Sequence, residues 1–236
     1  RHAKVLSAGE ESILDGIREV LGLDAQTPIP AEELEDVRIG TTVATNALLT
    51  RTGARTALVM TAGLGDLPRI GDQSRPELFS LDISRPDPVA TLIIEAIERL
   101  DVHGKVLHPL DVAQLRRDLE QARAQGCTAI AIALLHGWKY DLHERAVEEI
   151  ATSLGFEEVV TSSISPLRGL IRRSDTVSVD AMLTPILRES MQRTLTALEG
   201  VPVSCMQSSG GLAIAAQFRA SRAVLSGPAG GVLGAA

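Results

Sequence analysis

Seven consecutive apolar residues, Ala129-Ile130-Ala131-Ile132-Ala133-Leu134-Leu135, stand between two stretches of helical spacing at Val112–Gln125 and Leu142–Leu154. A run of that length without polar alternation is a strand covered on both faces, since a solvated face would carry a polar residue at every second position. Strands buried in this way belong to parallel sheets with helices above and below. The chain is therefore expected to be α/β. The same order occurs earlier, where Val37-Arg38-Ile39, a helix running to about Thr52 and the strand Thr56–Met60 read as a parallel crossover with the helix packed on the sheet.

The remaining segments fit around this frame. Lys4-Val5-Leu6-Ser7 reads as the end of a strand, with Ser7 capping a helix through Leu21 whose apolar positions Ile13, Leu14, Ile17, Val20 and Leu21 keep helical spacing. Residues 62–88 lose periodicity and gather Gly, Pro, Asp and Arg, which predicts a long surface loop. Leu92–Arg99 and Lys105–Leu107 flank Asp101-Val102-His103-Gly104, a turn suited to a hairpin. Glu158–Thr161 and Val201–Met206 are further strand candidates, and Leu167–Leu198 is one long helical pattern that Pro185 should kink or divide. Ala223-Val224-Leu225 reads as a short terminal strand.

Composition excludes several functions. A net charge of −7, a pI near 5.3 and 2% aromatic residues leave neither a basic face for a phosphate backbone nor stacking platforms for bases, so no nucleic-acid partner is expected. No apolar run approaches the roughly 18–20 residues of a membrane span, and the first residues lack the apolar stretch of a secretion signal. Cys127 and Cys205 lie far apart in apolar segments and form no metal-type pair, so they read as buried free thiols of a cytoplasmic protein.

Two turns carry the chemical signal. In Ser226-Gly227-Pro228-Ala229-Gly230-Gly231, side-chain-free residues lead into a helix, where backbone N–H groups and the helix dipole favour an anion such as a phosphate. The same glycines equally suit a tight strand-to-helix connection that needs only close packing. Met206-Gln207-Ser208-Ser209-Gly210-Gly211 is a second such turn after an apolar strand. Gly40-Thr41-Thr42-Val43-Ala44-Thr45-Asn46 opens a helix with three hydroxyls and an amide, which either cap orphan N–H groups or face a ligand. Asp66, Arg69, Asp72, Arg75 and Asp82 in the long loop read as a solvated face, and Arg172, Arg173 and Asp175 as an exposed ion-pair set or a cleft wall. His136 and His143 are seven apart, which is not the spacing of a helical metal pair, so structural roles are expected. Neither a nucleophile elbow nor a P-loop is present.

The chain resembles the ATP-dependent hydantoinase A and 5-oxoprolinase family, which includes a subunit of acetone carboxylase. The likeness rests on Gly40–Leu49, Gly53–Leu58, Ile70–Pro76, Glu95–Arg99, Leu134-Leu135-His136, His143-Glu144, Met206–Gly211 and Leu225–Val232, in one order along nearly the whole chain. It implies an actin-like, ribonuclease H-like ATPase fold with a mixed sheet and flanking helices, related to sugar kinases and heat-shock chaperone ATPases, and divided into residues 1–165 and 166–236. It implies ATP and Mg²⁺ as cofactors, a cyclic amide as substrate, and a hydantoinase B-type partner subunit or domain.

Under this resemblance, Ser226, Gly227, Gly230 and Gly231 are the expected nucleotide-side residues. Thr41, Thr42, Thr45, Asn46, Ser208 and Gly210 are the expected cleft-facing ones. The family's two phosphate loops, Gly-Gly-Thr-Phe-Thr-Asp and Asp-x-Gly-Gly-Thr, are expected just before and just after these residues, as if the fold were cut at both ends. Leu167–Arg173 departs from the family's acidic and aromatic pattern, and Ser209 stands for its usual Asn. A ketone- or bicarbonate-activating carboxylase subunit and a non-catalytic actin-like interaction module are the alternatives.

Overall fold

The computed structural model describes residues 12–72, 74, 79–81 and 86–235. In chain order its elements are α1 (Ser12–Leu21), β1 (Val37–Ile39), α2 (Val43–Thr50), β2 (Thr56–Thr61), α3 (Leu67–Ile70), β3 (Leu92–Ala96), β4 (Arg99–Leu100) and β5 (Val106–His108). They continue with α4 (Val112–Ala124), β6 (Ala129–Ala133), α5 (Leu142–Ser153), β7 (Glu158–Val160), α6 (Leu170–Ala197), β8 (Val203–Met206), β9 (Leu212–Ile214) and α7 (Ser226–Ala235). The expected strand at Lys4–Ser7 and the Ser7 cap lie outside the described residues.

The chain forms two compact units, one from the residues up to Thr50 together with those from Ile186 onward, the other from Arg51 to Pro185. The division expected at 165/166 from the resemblance follows a different line, inside the second unit. Pro185 does not divide the long helix, which runs unbroken from Leu170 to Ala197.

The second unit is built on a parallel sheet in the order β3-β2-β6-β7. All five residues of β6 are buried, as its unbroken apolar run requires. Its two faces differ in size. Ile130 and Ile132 join Leu115 and Leu119 of α4 and Val147 and Ile150 of α5 in one cluster. Ala129, Ala131 and Ala133 face the other way, where small side chains let Val177 and Ala181 of α6 close on the sheet. Each fully buried aliphatic side chain contributes about 1.5–3 kcal/mol. Asp111 starts α4 by accepting the Gln114 N–H at 2.9 Å, and Gly126, at φ 87, takes the left-handed turn after it.

Three expectations are corrected. First, β1 and β2 are not a crossover within one sheet: β1 pairs with β8 in the first unit and β2 with β3 and β6 in the second. The exit from α2 redirects the chain, with Arg51 at φ 54 and Gly53 packed where a Cβ would lie 2.3 Å from Met182 Cγ. Second, Leu92–Ala96 joins the parallel sheet, and only Arg99–Leu100 forms the hairpin with β5. Third, Ala223–Leu225 is a turn rather than a strand, because Ser208 ties both of its ends and leaves it no sheet partner. Within the expected loop of 62–88, α3 forms one short helix, while residues 73, 75–78 and 82–85 lie outside the described ones.

Candidate functional site

In the first unit the small sheet β1-β8-β9 pairs β1 with β8 in parallel and β8 with β9 in antiparallel. The two polar turns found in the sequence and the glycine-rich helix all meet at one end of it. The loop after β8 closes through Gln207 N–H to the Gly211 carbonyl at 2.8 Å and Gly210 N–H to the Gln207 carbonyl at 2.9 Å. Gly210, at φ 85, supplies the left-handed residue this closure needs. Ser208 then fixes the approach to α7: its hydroxyl donates to the Arg222 carbonyl at 2.8 Å and accepts the Leu225 N–H at 3.0 Å.

Two hydroxyl bonds join the β1–α2 corner to the start of α7. The buried Ser226 Oγ donates to the Thr41 carbonyl at 2.8 Å, and Thr45 Oγ1 donates to the Val224 carbonyl. Thr41 Oγ1 also accepts the Val43 N–H at 3.2 Å, so it is a cap. Gly227 lies against Thr42, whose Cγ2 would be 2.8 Å from a Cβ at that position. Thr42 and Asn46 are exposed.

The result is a cavity of about 570 Å³ walled by Gly40, Met206, Gly210, Gly227, Gly230 and Gly231, with Arg38 at its edge. Arg38 is exposed and paired with Asp36 at 2.7 Å, a surface contact worth roughly 0–1 kcal/mol. The wall otherwise consists of glycines and the uncharged residues Ile39, Met206 and Leu212. The glycines provide space: a Cβ at Gly230 would meet only Met206 Cγ at 3.8 Å, and one at Gly231 would meet nothing within 4 Å.

The expectation of a glycine turn rich in free N–H donors is also corrected. Gly227, Gly230 and Gly231 sit inside α7 rather than before it. At the helix start, the Leu225 N–H goes to Ser208 Oγ, the Ser226 N–H goes to the Ala223 carbonyl, and Pro228 has none. That leaves the Gly227 N–H as the one first-turn donor without an acceptor among the described residues.

The second unit carries a separate polar network at the carboxyl ends of its parallel strands. The chain order reverses between β2 and β6, the point where open α/β sheets commonly hold ligands. Here the protein's own side chains fill that point. Thr61 Oγ1 accepts the Leu135 N–H at 3.0 Å and donates to Glu98 Oε1, while Glu98 Oε2 lies 2.7 Å from His143 Nδ1. Beside it, Glu144 Oε1 accepts the Leu134 N–H at 2.9 Å and the Ser162 hydroxyl at 2.7 Å, and its Oε2 accepts the Ser162 N–H at 2.8 Å. Burial raises the Glu144 pKa despite these donors.

Arg173, fully buried, donates to the carbonyls of Leu134, Leu135, Leu167 and Arg168, and burial lowers its pKa against the pull of Glu144. Arg173 is thus an internal clamp, not part of an exposed ion-pair set. His143 has the structural role expected of it. Among the described residues no three His, Cys, Asp or Glu side chains gather as a metal would require. Both cysteines are buried and free, and burial pushes the Cys205 thiol up to about 11.

Residues 1–155 match the family model described as hydantoinase/oxoprolinase N-terminal region, and residues 173–236 match the one described as hydantoinase/oxoprolinase. The chain belongs to the hydantoinase/oxoprolinase family. It is 35% identical to 5-oxoprolinase 1 of Arabidopsis thaliana over 95% of its own length and 20% of that protein's. It is 30% identical to the acetophenone carboxylase gamma subunit of Aromatoleum aromaticum over 98% of this chain and 34% of the subunit. The crystal structure of the ATP-dependent caprolactamase from Pseudomonas jessenii superposes with a TM-score of 0.81 and 25% identity over 97% of this chain and 35% of that one. The architecture is accordingly the actin-like α/β fold. This member of the hydantoinase/oxoprolinase family spans about a fifth of the 5-oxoprolinase it matches.

Of the residues expected from the sequence, Gly210, Gly227, Gly230 and Gly231 line the cavity, while Thr41, Thr42, Thr45, Asn46, Ser208 and Ser226 are not among its lining residues. Thr41, Thr45, Ser208 and Ser226 have their hydroxyls committed to backbone groups, whereas Thr42, Asn46 and the glycine faces remain open. No sequence signal flagged Thr61, and Glu98 stood out only as part of the resembling stretch Glu95–Arg99, because nothing local predicts that the two meet across 37 residues.

Proposed function

We propose that this protein is an ATP-dependent hydrolase of cyclic amides, and that the cavity of the first unit borders the nucleotide. The observation that carries the assignment is the convergence of Gly40 with Gly227, Gly230 and Gly231 on one glycine-walled space, held by the Ser226–Thr41 and Thr45–Val224 bonds. Family membership and the likeness to a caprolactamase and a 5-oxoprolinase support the chemistry.

The wall leaves room for a ligand. Side chains at Gly230 and Gly231 would project into space that is otherwise free. It fits a triphosphate's charge poorly, with one free N–H at Gly227 and one exposed Arg38. In this reading the wall receives the nucleotide's less charged parts, and Thr42, Asn46 and Gly210 line its approach. ATP, when bound, supplies a phosphoryl group that makes the resonance-stabilised amide oxygen a leaving group. Mg²⁺ belongs to that chemistry and is assigned no ligand among the described residues. A hydantoinase B-type partner supplying hydrolytic groups completes the reading, as does a cytoplasmic setting in which the two thiols stay reduced.

The test is ATP hydrolysis by the full-length protein, with its partner, in the presence of 5-oxoproline, hydantoin or caprolactam. Substrate-dependent ADP release that Gly230→Leu reduces at least tenfold through KM for ATP supports the reading; release unaffected by that substitution removes the cavity from it. The similarity to a carboxylase gamma subunit favours a second reading, in which the same cavity serves ATP-dependent carboxylation. ADP release that depends on a ketone and bicarbonate, and not on any cyclic amide, would select it.

A further inference from the structure

A second cavity, in the second unit, has the chemistry of a different ligand. Among the described residues, the connection from β2 to β3 contains one four-residue helix, α3, beside the five-residue β3. Ile94 and Ala96 point to the α4–α5 face, so Ile93 and Glu95 point to the other one, at the sheet's free edge. A cavity of about 700 Å³ is lined by β3 residues together with Gly65, Asp66 and Arg69.

Its lining combines apolar side chains with charged groups of both signs. Ala90 and Ile93 supply the apolar part. Glu95 Oε1 accepts the N–H groups of Gly63 and Gly65, both at 2.9 Å, so the carboxylate is fixed in place. Its Oε2 has no partner among the described residues. Asp66 begins α3 without capping it and lines the same cavity as a second carboxylate, with Asp87 a third. Opposite in sign, the exposed Arg69 guanidinium lines the same cavity with no acceptor among the described residues. The other cation there, Arg51, is committed to the carbonyls of Asp87 and Pro88 at 2.7 and 3.0 Å.

A pre-formed concave site with an apolar floor and a few convergent polar groups is the usual form of a small-molecule site. We propose that this cavity binds an α-amino acid zwitterion with an aliphatic side chain. Its ammonium group meets Glu95 Oε2 and Asp66, its carboxylate meets Arg69, and its side chain lies on Ala90 and Ile93. Neither substrate of the proposed reaction has this pattern, since a nucleotide is anionic and a cyclic amide's ring nitrogen carries no positive charge, whereas the ring-opened product carries both an ammonium and a carboxylate. The cavity shares no lining residue with the glycine-walled one, so its ligand is tested by direct binding, separately from turnover.

The experiment is calorimetric titration of the full chain with L-leucine, 4-methylpentanoate and 3-methylbutylamine, three molecules that share a side chain and differ in their charged groups. Leucine is expected to bind saturably at one site, at least tenfold tighter than either control. Arg69→Gln, at an exposed residue whose side chain has no acceptor among the described residues, should weaken leucine at least tenfold and leave the amine unchanged. Glu95→Gln, which keeps a carbonyl oxygen for the Gly63 and Gly65 N–H groups, should weaken leucine and the amine alike. Absence of saturable leucine binding, equal binding of leucine and a control, or full leucine affinity in Arg69→Gln would each overturn the assignment.

Discussion

The contact that joins the two sequence motifs of the glycine-walled cavity can be tested by making it fail. Gly227 has no positive φ that would penalise a side chain, so Gly227→Ala introduces only a methyl group. In the first turn of a helix that change is favourable by about 0.5–1 kcal/mol, because glycine loses more backbone entropy on folding. Against this, the new Cβ would lie 2.8 Å from Thr42 Cγ2, where ordinary contact begins at 3.4 Å. An overlap of that size costs about 1–3 kcal/mol if the neighbour cannot move, and about 0.5–1.5 kcal/mol if exposed Thr42 turns off its rotamer. The overlap wins, and Gly227→Ala is expected to lower stability by roughly 0–2 kcal/mol.

Thr42→Ser removes the obstructing methyl and keeps the hydroxyl. In that background Gly227→Ala should become stabilising by about 0.5–1 kcal/mol. The coupling between the two positions is then about 1–3 kcal/mol, read from urea denaturation of the four proteins in a double-mutant cycle. If Gly227→Ala has the same effect in both backgrounds to within about 0.5 kcal/mol, the helix start does not rest on the β1–α2 corner and the shared cavity is lost.

Three further outcomes follow from the same structure. Ser208→Ala removes the acceptor of the Leu225 N–H and the donor to the Arg222 carbonyl, and should cost about 1–3 kcal/mol in chemical denaturation. Gly137→Ala would put a methyl 1.9 Å from Glu144 Oε1, a buried carboxylate fixed by three donors, so a loss of more than about 2 kcal/mol is expected. Because burial raises the folded-state pKa of Glu144, its contribution is complete below the unfolded value near 4.5 and is lost as pH rises through the raised one. Glu144→Gln presents an amide N–H₂ where an acceptor is needed, costing about 1–3 kcal/mol near pH 4.5, and that deficit should shrink as denaturation is repeated toward pH 7.

What could be read from the sequence depended on how local its cause was. The β6 strand was legible because burial on both faces excludes polar residues from one continuous run, and α4 because a cap, a periodic face and a glycine stop all lie within sixteen residues, Asp111 to Gly126. The β1–α2–β2 order misled because strand and helix periodicity say nothing about which sheet a strand enters. That choice was made by Arg51 in a left-handed conformation and by Gly53 packing on Met182, a contact 129 positions away in the chain, from 53 to 182. At the candidate site the residue types were legible and their uses were not. Ser, Thr and Asn near helix starts serve caps and ligands with the same atoms, and only the positions of Val224, Leu225 and Arg222 reveal that Thr45 and Ser208 are taken.

The two cavities use glycine for opposite purposes. At Gly63 and Gly65 the missing side chains let two N–H groups converge on one oxygen, with so little room that a Cβ at Gly65 would stand 2.9 Å from it. Those donors are already satisfied by Glu95, so the charge presented to a ligand there is that of the carboxylate and not of the backbone. At Gly230 and Gly231 the missing side chains leave open space, and the nearby donors are tied to Ser208 and Ala223. A helix start carries roughly half a positive charge through such donors. With one of them open, this wall can shape a ligand but cannot neutralise several phosphate charges. Substitutions along it should therefore act on affinity in proportion to the volume they add, with little dependence on salt, whereas a wall that held phosphate through exposed charge would weaken steeply as ionic strength rises.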